Sequence, residues 1–405
     1  MCTAPSGAVT VSRGSSRSVE LADIFRVHGS VFRQTRPLAG AQLKAMRAIE
    51  TCRTAALGGH QENCEVCGAV RIAYNSCRNR HCPKCQTLAQ QRWLEARQAE
   101  LLPIEYFHVV FTLPHAINPL AQSHPRLIYR LLFQAATDTL ATFGRDPRHL
   151  GGELGITAIL HTWGQNLSQH VHLHCVVTGG ALTRDGSRWI PARPGFLFPV
   201  RALSQVFRAK YLDALRHAFD NGEITFAGQI AHLVEPAVFR CWLSKMSQPP
   251  WVVYVKRPFA GPQQVLDYLG RYTHRVALSN QRILSLESGV VRFRWKDYAH
   301  GNRQKIMALD AEEFIRRFLL HVVPNGFVRI RHFGLLANRT RKEKLHRCRT
   351  QLHHPLPPEE KVKESVEALM LRLTGEDIHL CAVCRQGRMK ITAVLPRSRH
   401  PWDTS

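Results

Sequence analysis

The sequence predicts an α+β protein with a cysteine-rich module near its N-terminus, and three observations support this. Runs of strand character, among them GITAILHTW at residues 155–163 and HVHLHCVVTGG at residues 170–180, are interspersed with long segments of helical periodicity. Twelve cysteines cluster into short C-x-x-C units. Of 405 residues, 44% are hydrophobic, enough to build a real core and about two to three domains.

The charge balance narrows the partner. Lys and Arg number 55 against 30 Asp and Glu, a net charge of +25 spread along most of the chain, which points to a polyanion and above all to nucleic acid. No apolar stretch approaches the roughly 20 residues that cross a bilayer. The first twenty residues lack the apolar core of a signal peptide, so a cytoplasmic protein of a bacterial nucleoid is expected. In that compartment the cysteines are expected as reduced thiols, many of them on zinc.

Residues 1–20, rich in Ser, Gly and Arg, read as a flexible arm. A zinc-binding, DNA-contacting domain is expected over residues 21–100. It opens with a helical stretch that includes AQLKAMRAIE, runs through the cysteine cluster at residues 52–85, and ends in an amphipathic helix stopped by Pro103. A catalytic domain is expected over residues 101–335. IEYFHVVFTLP alternates as a strand, and helices follow at about 124–143 and 202–220, the second ending near Asn221-Gly222. The two strand runs quoted above lie between those helices. WVVYVKRP is then a strand, and VLDYLGRYTHRVAL a helix after Gly261-Pro262. RILSLESGVVRFRWKDY is a hairpin turning near Glu287-Ser288-Gly289, and a final helix runs from Asp310, as N-cap, through HVVP. Residues 336–405 read as a basic, proline-containing C-terminal region, and no internal repeat has a fixed period.

Cys64-x-x-Cys67 and Cys82-x-x-Cys85 are separated by 14 residues, a spacing that lets four thiolates close a tetrahedral zinc site. Cys52, His60, Cys77 and His81 would supply a second site, or else pack as ordinary buried and surface groups. Arg78, Arg80, Lys84 and Arg92 cluster beside the knuckles and are expected to contact phosphates. Cys381-x-x-Cys384 is half a zinc site, with Cys348, His353, His354 and His379 available to complete it.

Period-two alternation puts His172 and His174 on one face of a strand, where both imidazoles can reach one metal ion. Such a site leaves coordination positions open for a phosphate oxygen, and Mg²⁺ or Mn²⁺ suits that chemistry. No H-E-x-x-H motif is present. Tyr268 and Tyr272, four apart, project from one helix face, with Arg271, His274 and Arg275 on the same helix. A tyrosine attack on DNA leaves a 5′-phosphotyrosine link and a free 3′-hydroxyl, conserving the phosphodiester energy for a later strand transfer. Each pair alone also fits plain packing, of core histidines on a strand and of an amphipathic stripe with Val265, Leu269 and Val276.

With these motifs in place, the chain resembles the two-tyrosine HUH transposases of the IS91 type. The resemblance covers about residues 40–340. It rests on YNSCRNRHCPKCQ, HVHLHCVVTGGAL, YLGRYTHRVALSN, FRWKDYAHGNRQKIMAL and EEFIRRFLLHVVPNGFVRIRHFGLLANR. The family usually has proline where this chain has Val171. The resemblance implies a central antiparallel sheet flanked by helices, and a single-strand DNA endonuclease and strand transferase acting in rolling-circle transposition. Tyr268 and Tyr272 would be the nucleophiles acting in turn, and His172 and His174 metal ligands. Gln165, His170 and His161 stay open as the third ligand, and Lys296, Asp297, Arg331 and His332 fall in shared segments without an assigned role. Insertion-sequence ends are the implied DNA. The chain has no G-x-x-x-x-G-K-S/T loop, so unwinding falls to a host helicase or to supercoiling. A rolling-circle replication initiator would use the same chemistry, and a non-catalytic zinc-dependent DNA-binding protein would share the charge and the cysteines.

Overall fold

The computed structural model describes residues 18–256, 264, 265, 268, 270, 277–297, 301–354 and 364–398. The arm at residues 1–17, the Gly261-Pro262 turn, Arg271, Tyr272, His274 and Arg275 lie outside the described residues.

In chain order the strands are β1 (Gly59–Cys64), β2 (Val70–Tyr74), β3 (Tyr106–Thr112), β4 (Gly155–Trp163), β5 (Gln169–Thr178), β6 (Gly180–Leu182), β7 (Trp189–Pro191), β8 (Val253–Lys256), β9 (Ile283–Glu287), β10 (Val290–Asp297), β11 (Arg303–Asp310), β12 (Ile330–Gly334) and β13 (Met389–Leu395). The expected central antiparallel sheet is present. Five strands run in the order β12-β4-β5-β3-β8, every neighbouring pair antiparallel.

The side-chain period of two sorts this sheet into two faces. Phe107, Val109 and Phe111 of β3, Ile156, Ala158 and Leu160 of β4, and Leu173, Cys175 and Val177 of β5 join one core with helices Pro125–Arg145, Val200–Asp220 and Pro236–Ser247. The intervening residues face the other way. There Tyr106, Ile159 and Val176 meet Val265 and, from helix Thr87–Gln98, Trp93 and Leu94. Both faces of β4 and β5 are covered, which is why these strands read as nearly continuous apolar runs.

A second core joins distant segments. Helices Leu21–Thr35 and Gly40–Thr51 bury Ile24, Phe25, Phe32, Met46 and Ile49 against Val291 and Phe293 of β10 and Phe314 and Phe318 of helix Ala311–Leu319. The N-terminal module is therefore not self-contained: its helices share a core with the β9-β10-β11 meander. That meander turns as expected. Ser288 and Gly289, at φ 49° and 77°, form the two-residue loop with both φ positive that matches strand twist in a hairpin. Strand β11 had no clear signal in its exposed, basic sequence. Asp310 holds the N-cap position of the following helix without a side-chain capping bond, and that helix stops at Leu319, short of the expected HVVP.

The C-terminal region is not a separate tail. Helix Arg341–Gln351 buries Leu345 and Cys348 against Leu102, Leu182, Trp189 and Leu335, while β13 pairs with β1 to give a three-stranded sheet β13-β1-β2. Among the described residues, no helix is long and apolar enough to cross a membrane.

Candidate active site and metal centres

His172 and His174 lie on the same face of β5, and the β4–β5 register sets His161 directly opposite His172. The side-chain nitrogens of His161, His172 and His174 come within 4.8 Å of one another, close enough to share one ion. Of the three candidates for a third ligand, His161 is the one in this group. His170 instead lies tilted against the His115 ring, and Gln165 sits beyond the strand end, where its carbonyl accepts from Arg282.

Electrostatics and hydrogen bonding hold His172 and His174 neutral and fix their ring orientation. Burial pushes the His172 imidazole down to about 4 and the His174 imidazole well below its ordinary value, so both are neutral, the form that binds metals. His172 Nδ1 donates to the His170 carbonyl at 2.8 Å, leaving Nε2 with its lone pair. His174 Nδ1 is 2.9 Å from Nε2 of His108, a β3 residue on the same face. A proton on that Nδ1 leaves the lone pair on His174 Nε2. Three neutral imidazoles on rigid strands suit a divalent ion with open positions.

Tyr268 closes this arrangement. Its Oη is 2.5 Å from His108 Nε2 and 3.1 Å from His174 Nδ1. The segment carrying it, helical at Gln264, Val265, Tyr268 and Gly270, rests on helix Thr87–Gln98: Val265 packs with Trp93 and Leu94, and Gln90 donates to the Gly270 carbonyl. His108 was missed in the sequence. Its only signal is position, two residues before Val110, which pairs with His174 in the register.

The cysteines regroup relative to expectation. Cys64, Cys67, Cys82 and Cys85 do not share one site. Cys82 and Cys85 gather with Cys52 and Cys77, while Cys64 and Cys67 gather with Cys381 and Cys384. The reason is the hairpin between them. Cys64 ends β1 and β2 returns the chain to Cys77, so the six residues of β1, at about 3.3 Å each, hold the two knuckles roughly 20 Å apart. In the first group Cys52 and Cys77 lie 3.5 Å and 3.6 Å from Cys85 by their sulfurs. The edge of a ZnS₄ tetrahedron with Zn–S of about 2.3 Å is about 3.8 Å, so this donor set fits zinc.

His60 and His81 belong to neither group. His60 bonds to Glu62 at 2.9 Å, and His81 is buried, so that desolvation, followed by the nearby charges of Arg329, Arg80 and His321, pushes its imidazole down to about 3. Cys348 is core, and His353, His354 and His379 do not complete the C-terminal knuckle.

The expected phosphate contacts divide in the same way. Arg78 is exposed, as is Arg92. Arg80 instead donates to the Phe327 carbonyl at 2.5 Å, and Lys84 pairs with Glu20 at 2.5 Å, so both tie the cysteine module to its surroundings. Arg331 lies over the rings of Phe133 and Phe327, His332 bridges Arg97 and Thr157, and buried Asp297 pairs with Lys305 at 2.7 Å. Lys296 is exposed.

A family described as "Putative transposase" matches residues 155–344, and one described as "Transposase zinc-binding domain" matches residues 24–113. The chain is 53% identical over 392 residues to the putative transposase y4qJ of Sinorhizobium fredii (strain NBRC 101917 / NGR234), covering 95% of this chain and 98% of that protein. It is 27% identical over 305 residues to the transposase for insertion sequence element IS801 of Pseudomonas savastanoi pv. phaseolicola, covering 75% and 72%. No solved structure matches it.

Proposed function

Since the chain belongs to the IS91-type insertion-sequence transposases with an N-terminal zinc-binding domain and DNA as partner, we propose that it cuts and rejoins single-stranded element ends through a phosphotyrosine link. The observation that carries this is the phenol of Tyr268 held against the His108 and His174 rings, at the edge of the three-histidine group.

In this reading Tyr268 Oη attacks the scissile phosphorus. The P–O bond to tyrosine forms as the bond to the 3′-oxygen breaks, and that oxygen leaves as a 3′-hydroxyl once protonated. His161, His172 and His174 would hold a Mg²⁺ or Mn²⁺ ion, which would supply Lewis-acid polarisation of the phosphate. His108 orients the phenol: burial pushes its imidazole down to about 3, so it is a poor proton acceptor, and the phenol's proton passes to solvent water, which supplies the proton the leaving 3′-oxygen takes up. Tyr272 would be the second nucleophile and cut the other end while the first link persists. Arg271 and Arg275, on the same segment, and exposed Arg78 would contact the DNA backbone. A host helicase would supply the single strand.

The test uses labelled single-stranded ends with Tyr268→Phe, Tyr272→Phe and the double variant, in Mg²⁺, Mn²⁺ or chelator. A metal-dependent, denaturation-resistant adduct abolished only in the double variant supports two nucleophiles. Loss in one single variant identifies the sole tyrosine. Wild-type protein that binds the ends yet forms no adduct sinks the reading.

A further inference from the structure

The zinc-binding family match ends at residue 113 and the transposase match at residue 344, so neither includes Cys381 and Cys384. These two cysteines nevertheless complete a sulfur tetrad with Cys64 and Cys67. We propose that the four thiolates hold a second structural zinc ion, in a ribbon whose two knuckles come from opposite ends of the described chain.

The sulfur geometry fits zinc and not a disulfide. Cys64 and Cys384 lie 3.6 Å apart and Cys67 and Cys381 3.7 Å apart by their sulfurs, close to the tetrahedral edge of about 3.8 Å and far from the S–S bond of about 2.05 Å. The two knuckles also share one turn. In each, the residue after the second cysteine has positive φ, Gly68 at 70° and Arg385 at 55°, and its N–H donates to the carbonyl of the first cysteine at 3.0 and 2.9 Å. Backbone N–H groups point at sulfur in both, from Cys67 to Cys64 and from Gly387 to Cys384. Such bonds stabilise thiolate over thiol.

The surrounding sheet gives an independent reason. β13, β1 and β2 carry almost no core: Cys64, Cys381 and Met389 are its buried cluster, and β2 and β13 are largely exposed. So small a core cannot order three strands by burial alone, and a metal is the usual replacement. The site is also tightly built. A Cβ on Gly387 would fall 2.5 Å from Cys64 Sγ, so the C-terminal knuckle passes over the N-terminal one with only a glycine between them. Closure links residues 314 apart in sequence, which makes the C-terminal segment the second half of the zinc module.

The experiment needs only the purified full-length protein. Zinc is counted after denaturation with a chromophoric chelator, and native protein is alkylated with N-ethylmaleimide before and after chelator, with each cysteine followed by mass spectrometry. Two zinc ions per chain are expected. Cys67, although exposed, and Cys384 should resist labelling alongside Cys64 and Cys381 until chelator is added, then all four should react together, while exposed Cys241 reacts from the start. Cys381→Ser/Cys384→Ser should hold one zinc, and Cys52→Ser/Cys77→Ser the other. One zinc in the wild type, or Cys381 and Cys384 labelling as fast as Cys241 without chelator, or recovery of these cysteines as disulfides, would overturn the proposal.

Discussion

The histidine group and the sulfur groups are built differently. His161, His172 and His174 come from one antiparallel pair of strands, so forming β4–β5 in register forms the site. The Cys52, Cys77, Cys82 and Cys85 tetrad gathers residues at most 33 apart, whereas the Cys64, Cys67, Cys381 and Cys384 tetrad collects segments up to 320 residues apart. The donors differ as well. Three neutral nitrogens on a rigid sheet would leave a bound ion with positions for substrate, whereas four thiolates saturate a zinc ion and leave it nothing to do but hold chain segments together. The site proposed to react is open and built from one strand pair, and the sulfur sites are closed, one of them across nearly the whole described chain.

The largest expected effect tests the open site. His174→Ala should lower adduct formation by roughly 10²–10³-fold while the thermal midpoint and binding of single-stranded ends stay near wild type. An enzyme that cleaves normally with this change would show that the histidines are core groups only. Next is the closed site at Cys52, Cys77, Cys82 and Cys85. Cys82→Ser should release zinc and lower the melting midpoint by about 10 °C or more, measured by scanning calorimetry. Activity should fall with it and not recover in excess Mg²⁺. Cys85 leads almost directly into helix Thr87–Gln98, whose Gln90 holds the Gly270 carbonyl beside Tyr268.

A smaller change sharpens the boundary between ligand and support. His108→Gln removes the ring that orients Tyr268 and His174, and should cost roughly 10-fold in rate and raise the Mn²⁺ concentration needed for half-maximal cleavage. A titration in which only the rate moves would confine His108 to the tyrosine. The smallest effect concerns pH. His321 is buried against Leu167 and Thr162, and desolvation pushes it down to about 4, whereas the unfolded chain protonates the same ring near 6.5. Its contribution is complete above pH 6.5 and is lost as pH falls from there to 4, by up to about 3 kcal/mol. Urea melts across that range should show a shallower slope in His321→Gln, and an unchanged slope would mean the ring is not held neutral.

Much of this was open to reading from local pattern. Alternation in HVHLHCVVTGG placed His172 and His174 on one face of a strand, because side-chain direction in a strand depends only on parity. Helical periodicity with the Asn221-Gly222 stop marked helix Val200–Asp220, and Glu287-Ser288-Gly289 marked a hairpin turn, because capping and turn geometry are decided within a few residues. Composition and the C-x-x-C units pointed to zinc and a nucleic-acid partner.

Only the tertiary structure decided which groups meet. His108 joins the site through the β3–β5 pairing, and His161 outranks Gln165 and His170 through the β4–β5 register; neither pairing is written in the residues' spacing. Cys64-x-x-Cys67 and Cys82-x-x-Cys85 looked like partners because their separation suits a loop around one ion. That separation is spent instead on part of a β-hairpin that carries the first knuckle away from the second and toward Cys381 and Cys384. Local sequence sets backbone geometry over a few residues, so it determined the strands that carry the histidines, the long helices beside them and the kind of metal donor. Partnership between distant segments follows from where a whole sheet and its covering helices can be buried together, and that is a property of the fold.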